Sequence, residues 1–150
     1  MIDDSAFNRA AVEIGRFYPH SPDRVWQALT DPAHLEKWLM PSTGFVDPQV
    51  GTQFVFTVPT QPPGEIACKV LAIHPGRQVT LRWVDLRAQR PARWTLDWTI
   101  HPQGHGTRLL LTHSGFDTSD RRQKMARNGM KRMWNRVLVQ LDALLQELTT

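Results

Sequence analysis

Few side chains in this sequence are of the kind that do chemistry, and their spacing narrows them further. His113 ends an alternating apolar run and is followed by Ser114-Gly115-Phe116. An imidazole there can orient a ligand or shuttle a proton at the mouth of a cavity, or simply hydrogen-bond the neighbouring loop. Ser114 is not its catalytic partner, because neighbours at a strand end point to opposite faces. His101, His105 and His113 straddle a glycine-rich turn and match no compact zinc spacing, so a solvated turn accounts for them better. Asp85 and Asp97 are the acids within the aromatic stretches. Asp97 has outward parity and is expected to sit solvated beside an arginine. Cys68 is the single cysteine, set in an apolar run, and is expected as a small buried side chain. No nucleophile elbow, phosphate loop or dinucleotide fingerprint is present. The sequence therefore contains no complete catalytic constellation, and it calls for no metal or cofactor.

Tryptophan is what the chain has in excess, with 6 against a single tyrosine. Trp26 reads as plain core. Trp38, Trp83, Trp94, Trp98 and Trp134 could stack on a flat apolar ligand, or fill a close-packed core themselves. Met40 and Met130 suit an adaptable pocket wall. Arg121, Arg122, Lys124, Arg127, Lys131, Arg132 and Arg136 crowd the first half of the last helix. They read mainly as a solvated face. The net charge of +4 is mild, and no aromatics interleave with these cations, so nucleic acid is not an expected partner.

These residues need elements to position them. Ala11 to Tyr18 alternates as a strand and ends at Pro19-His20. Ser21-Pro22-Asp23 opens a helix, with serine as N-cap and proline in the first turn. Thr30-Asp31-Pro32 stops it and caps a second short helix carrying Leu35, Trp38 and Leu39. Strand patterns follow at Gln53–Val58, Glu65–Ile73, Gln78–Val84, Arg93–His101 and Thr107–His113, separated by short turns, which indicates an antiparallel meander. From about Asp120 to Leu148 the residues Met130, Trp134, Val137, Leu141, Leu144 and Leu148 make one helical stripe. Asp120 with Gln123 can form a capping box. Asn128-Gly129 inside that helix predicts a kink or close packing against a strand.

A meander has one apolar face that must be covered, and the last helix is the only long cover. The expected fold is α+β: a curved antiparallel sheet closed by a long C-terminal helix, with two short helices after the first strand. Parity turns Phe54, Phe56, Leu81, Trp83, Trp94, Leu96, Trp98, Leu109 and Leu111 inward, facing Met130 and Trp134. A chain of 150 residues with 41% apolar and 21% charged content suits one globular domain, residues 1–150. No stretch is apolar enough to span a membrane, and the acidic residues 1–4 are unlike a leader. With one cysteine and no leader, the expected location is the cytoplasm.

Several motifs together resemble the activator of heat-shock protein ATPase homologue family. They are Ser21-Pro22-Asp23-Arg24-Val25-Trp26-Gln27-Ala28-Leu29-Thr30-Asp31-Pro32 with His34-Leu35 and Trp38; Val50-Gly51-Thr52-Gln53-Phe54; Gly106-Thr107-Arg108-Leu109 through Thr112-His113-Ser114-Gly115-Phe116; and Gly129 with Trp134. The resemblance runs from Ala11 to Leu148. It implies a helix-grip fold of the START-like, birch-pollen-allergen-like superfamily, with about seven strands around the helix and a hydrophobic cavity between them. Thr52 departs from the family's paired glycines. The family's co-chaperones carry a preceding chaperone-binding domain, for which this chain has no room, so chaperone activation ranks below ligand binding.

The expected function is binding of a small hydrophobic ligand, aromatic or lipid-like, between sheet and helix. Its expected walls are Trp38, Met40, Phe54, Phe56, Trp83, Trp94, Trp98, His113, Met130 and Trp134. The alternatives are a cyclase- or hydrolase-type enzyme using the same cavity, and a co-chaperone-like module activating a heat-shock ATPase. A homodimer is compatible with all three.

Overall fold

Local chemistry sets the ends of each element in the computed structural model, which describes residues 10–148. The acidic opening at residues 1–4 lies outside that range. Strand β1 runs Ala11–Tyr18, and helices α1 and α2 follow at Pro22–Thr30 and Pro32–Trp38. The Ser21 hydroxyl accepts from the Arg24 amide, and the Asp31 carboxylate from the Ala33 amide at 2.9 Å. Each cap satisfies a backbone donor that the first helical turn leaves free. The Trp38 indole then donates to the Ala28 carbonyl at 2.7 Å, which locks α2 onto α1.

The remaining strands are β2 (Ser42–Thr43), β3 (Gln53–Val58), β4 (Gly64–His74), β5 (Gln78–Asp85), β6 (Arg93–Gln103) and β7 (Gly106–Ser114). Only β2, two residues long, has no counterpart in the alternating pattern of the sequence. All seven form one antiparallel sheet in the order β1-β7-β6-β5-β4-β3-β2. The meander therefore runs from β2 to β7, and β1 returns beside β7. The turn before β3 forms with Thr52 at the position where the resemblance implies a second glycine. Gly51 takes the positive φ of 95°, and Thr52 uses its hydroxyl to accept from the Gln49 amide at 2.9 Å. At Gly106 the sheet closes tightly: an added Cβ would overlap the Tyr18 carbonyl oxygen and the Phe17 ring.

Helix α3 spans Arg121–Leu148 and lies across the inner face of the sheet. Its buried stripe is Trp134, Val137, Leu138, Leu141, Leu144 and Leu145. Tyr18 from β1 donates to the Leu138 carbonyl at 3.0 Å, and Arg127 donates to the Ala11 carbonyl. Sheet and helix are thus stapled at both ends of β1. The start of α3 departs from the expected capping box. Asp120 caps the helix by accepting from the Arg122 amide, but Gln123 turns away and accepts from the Asp117 amide at 2.9 Å.

Gly129 likewise does not pack against a strand. The nearest atom to an added Cβ is the Arg132 guanidinium nitrogen at 3.8 Å, an ordinary contact. Nothing in the structure requires glycine there, so Gly129→Ala is expected to stabilise the fold by about 0.5–1 kcal/mol through helix propensity and a less flexible unfolded chain. A urea midpoint that rises with unchanged slope would show this. A fall would mean that the helix relies on glycine at this point.

Candidate functional site

Strand parity brings the expected rings to one place. Register pairs Trp83 of β5 with Trp94 of β6, and Leu96 of β6 with His113 of β7. The inner face therefore carries Trp83, Trp94, Trp98 and His113 on three adjacent strands, and α3 lowers Trp134 onto them. Trp83 lies 5.7 Å from Trp134 and 5.2 Å from His113 between ring centroids. Phe56 stands 5.7 Å from Trp83 and Phe54 5.3 Å from Phe56, which continues the row along β3. Trp38 joins from α2, 6.0 Å from Trp98. Met40 is buried, whereas Met130 is half-buried at the margin of the core. Phe116 is the ring that sequence reasoning left out of the wall. Gly115, at φ 95°, turns the chain so that Phe116 lies 4.4 Å from Trp94 and 5.2 Å from His113. The signal was present in the Ser114-Gly115-Phe116 motif.

His113 is not at a mouth. It is 0% exposed, enclosed by Trp83, Trp94, Phe116 and Trp134. Desolvation lowers its pKa from 6.5 to about 3. An imidazole that is neutral down to that pH and touches no solvent is no proton shuttle near neutrality, which corrects that part of the sequence reading. Its Nδ1 accepts from the Trp134 indole at 3.0 Å. A neutral imidazole that accepts at Nδ1 carries its proton on Nε2. That Nε2 is buried and has no hydrogen-bond partner among the described residues, and the same holds for the indole nitrogens of Trp83 and Trp98. The aromatic cluster around Trp134 and Trp98 thus presents three buried N–H donors without hydrogen-bond partners among the described residues. The other two inner indoles are committed: Trp38 to Ala28, and Trp94 to the Gln123 side chain at 3.2 Å.

A cleft of about 860 Å³ opens where the β5–β6 loop meets the start of α3. Trp94 borders it on one side and faces His113 on the other. A second cleft, of about 510 Å³, lies over outward-facing residues of β3–β5 and is bordered by Phe54 and Cys68. A third, of about 520 Å³, is bordered by Trp26, Phe45 and Ile73. Trp26 is therefore half core and half surface, rather than plain core. Trp38, Phe56, Trp83, Trp98, His113 and Trp134 border none of the three, and their contacts are ring against ring.

The remaining chemistry-bearing residues are accounted for by the fold. Asp97 faces outward as expected, but it accepts from Gln78, Thr80 and Thr99, not from an arginine. Register sets Thr80 directly opposite it, so a hydroxyl reaches the carboxylate first. Burial raises the Asp85 pKa, yet the two hydrogen bonds from the Arg87 guanidinium hold it below the ordinary range. Cys68 is buried, and desolvation pushes its thiol pKa well up, which disfavours the reactive thiolate. His101 and His105 are exposed in the β6–β7 hairpin, far in burial from His113. No cluster of three histidine, cysteine or acidic side chains placed to hold a metal occurs among the described residues. Among them, no helix is long and apolar enough to cross a membrane.

Comparison with known proteins follows from this geometry. A family model described as "Activator of Hsp90 ATPase homolog 1-like protein" matches residues 19–146. Protein MLL2253 from Mesorhizobium loti is similar in structure with a TM-score of 0.81 and 31% identity, over 91% of this chain and 97% of that one. The Aha1 dimer from Colwellia psychrerythraea is similar at a TM-score of 0.74 and 20% identity, over 90% and 95% of the two chains. DynU16, a protein of the dynemicin biosynthetic locus, is similar at a TM-score of 0.76 and 19% identity, over 91% of this chain and 47% of its own. A comparison with curated proteins finds no match.

Proposed function

The chain belongs to the activator of Hsp90 ATPase homolog 1-like family, and from that premise we propose that it binds a small, flat, largely apolar ligand between the sheet and α3. The observation that carries this is the set of three buried donors, Trp83 Nε1, Trp98 Nε1 and His113 Nε2, without partners among the described residues. Leaving a buried donor unpaired costs about 1–3 kcal/mol. Three such donors amid aromatic rings are matched by an apolar molecule bearing acceptor oxygens. The rings supply burial and stacking, and the donors supply orientation. Among the described residues no group of three metal-binding side chains occurs, and the His113 imidazole is shut off from solvent and held by Trp134, which favours binding over turnover.

The donors that the fold does not use make the test clean. Trp83→Phe or Trp98→Phe removes an N–H without orphaning any protein acceptor. A neutral aromatic ketone, 2-acetylnaphthalene, is expected to quench tryptophan fluorescence saturably. Either substitution is expected to weaken it by about fivefold to tenfold, the value of one buried hydrogen bond. Quenching that rises linearly without saturation would defeat the proposal. The family description supports a second reading, activation of a heat-shock chaperone ATPase. An ATPase assay with purified chaperone separates the two, since only that reading expects stimulation.

A further inference from the structure

We infer that the cleft at the start of α3 receives the anionic head of the ligand, so that the preferred ligand class is an aromatic carboxylate. The inference rests on the ligand-binding reading above and adds the charge of the ligand to it.

The cleft has an apolar floor of Ala92, Trp94 and Ala126 and a rim of Arg90, Arg121 and Arg122. Its two acids are already engaged. Asp85 holds Arg87 through two hydrogen bonds, and Asp120 caps α3 at the Arg122 amide. The three rim arginines make no ion pair among the described residues. An exposed arginine without a partner is ordinary. Three of them around one cleft, beside an indole, form a complementary surface for a planar anion, which guanidinium groups bind in a bidentate fork.

Position on α3 adds a second argument. The first turn of that helix has no acid and begins Arg121-Arg122. Cations are disfavoured there, because the helix start already carries partial positive charge. Residues that oppose a local preference mark places where something other than folding decides the side chain. The Asp120 carboxylate meets the helix start, which leaves the arginine side chains at the cleft as the groups a bound carboxylate would engage. Trp94 sets the depth: its indole separates the cleft from His113, with ring centroids 5.7 Å apart. An aromatic body held at the arginines therefore meets the Trp94 indole first, the one ring that both borders this cleft and contacts His113.

The test uses the full chain and two isosteric probes, 2-naphthoate and 2-naphthamide, titrated calorimetrically at low salt. The carboxylate is expected to bind at least about tenfold more tightly than the amide, as charge-assisted bonds exceed neutral ones. The combined variant Arg90→Gln, Arg121→Gln, Arg122→Gln is expected to abolish this preference, weakening the carboxylate far more than the amide. A control variant, Lys131→Gln, Arg132→Gln, Arg136→Gln, removes the same charge from later turns of α3 and is expected to keep the preference. Equal binding of the two probes overturns the inference while the ligand-binding reading stands. Survival of the preference in the cleft variant, or its loss in both variants, overturns it as well. Binding of neither probe overturns both.

Discussion

Trp134→Ala is expected to remove about 3–5 kcal/mol of folding stability, the cost of deleting a large aromatic side chain from a core that relaxes only in part. The ring is 0% exposed, 5.7 Å from Trp83 and 6.0 Å from His113. It is also the point where α3 meets the aromatic face of the sheet. A domain of this size commonly has about 5–15 kcal/mol in total, so much of its stability goes. The milder pair Trp134→Phe and Trp83→Phe separates packing from hydrogen bonding. Both shorten an indole to a benzene ring. Only Trp134→Phe strands a buried acceptor, because the Trp134 indole donates to His113 Nδ1 while the Trp83 indole has no protein partner among the described residues. Trp134→Phe should therefore cost about 1–3 kcal/mol more than Trp83→Phe. Urea unfolding of the three variants measures this, and equal costs for the two phenylalanine variants would contradict the Trp134–His113 bond.

The second large effect depends on pH. The folded-state pKa of His113 is lowered by burial to about 3, against 6.5 in the unfolded chain. Between those values the unfolded state binds the proton and the folded state does not. Stability then rises with pH through this window. It is fully present above pH 6.5 and is lost progressively as pH falls toward about 3. Once titrating, the slope approaches about 1.4 kcal/mol per pH unit, so cooling the pH from 7 to 5 should cost about 2 kcal/mol from this residue alone. Carboxylates also titrate in acid, so the informative quantity is a difference. His113→Phe lacks the imidazole and should show a shallower decline between pH 6.5 and 5, whatever its absolute stability. Parallel declines in the two proteins would mean that His113 accepts a proton in the folded state.

The helix-grip architecture was largely legible because its signals are local and repeated. Alternation in Gln53–Val58 and in Trp94, Leu96, Trp98 and Ile100 needs no distant residue to be read, and each of these faces is buried as parity requires. Ser21 and Asp31 act as caps for the same reason: a side chain reaches an amide two or three residues on. Errors occur where a local group had a choice of distant partners. Gln123 could cap its own helix, but tertiary packing offers it the Asp117 amide and the Trp94 indole. Asp97 could meet one of many arginines, but strand register puts threonine opposite. The sequence showed Arg121 and Arg122 as part of a basic helix face, mainly solvated though able to attract acidic ligands, but not their meeting with Arg90, which lies on a loop some thirty residues earlier in the chain.

The tryptophans mark the boundary between the two kinds of information. Parity alone turned Trp83, Trp94 and Trp98 toward Trp134, because side-chain direction follows from the period of a strand or helix, whereas the enclosure of His113 among them was decided by tertiary structure. Which ring nitrogens are used and which are spare was decided only by tertiary structure. A hydrogen bond depends on distances of a few tenths of an ångström between elements far apart in sequence, and no periodicity encodes them. Trp38 and Trp94 found carbonyl partners within the fold, Trp134 found the imidazole, and Trp83 and Trp98 were left as donors beside His113 Nε2.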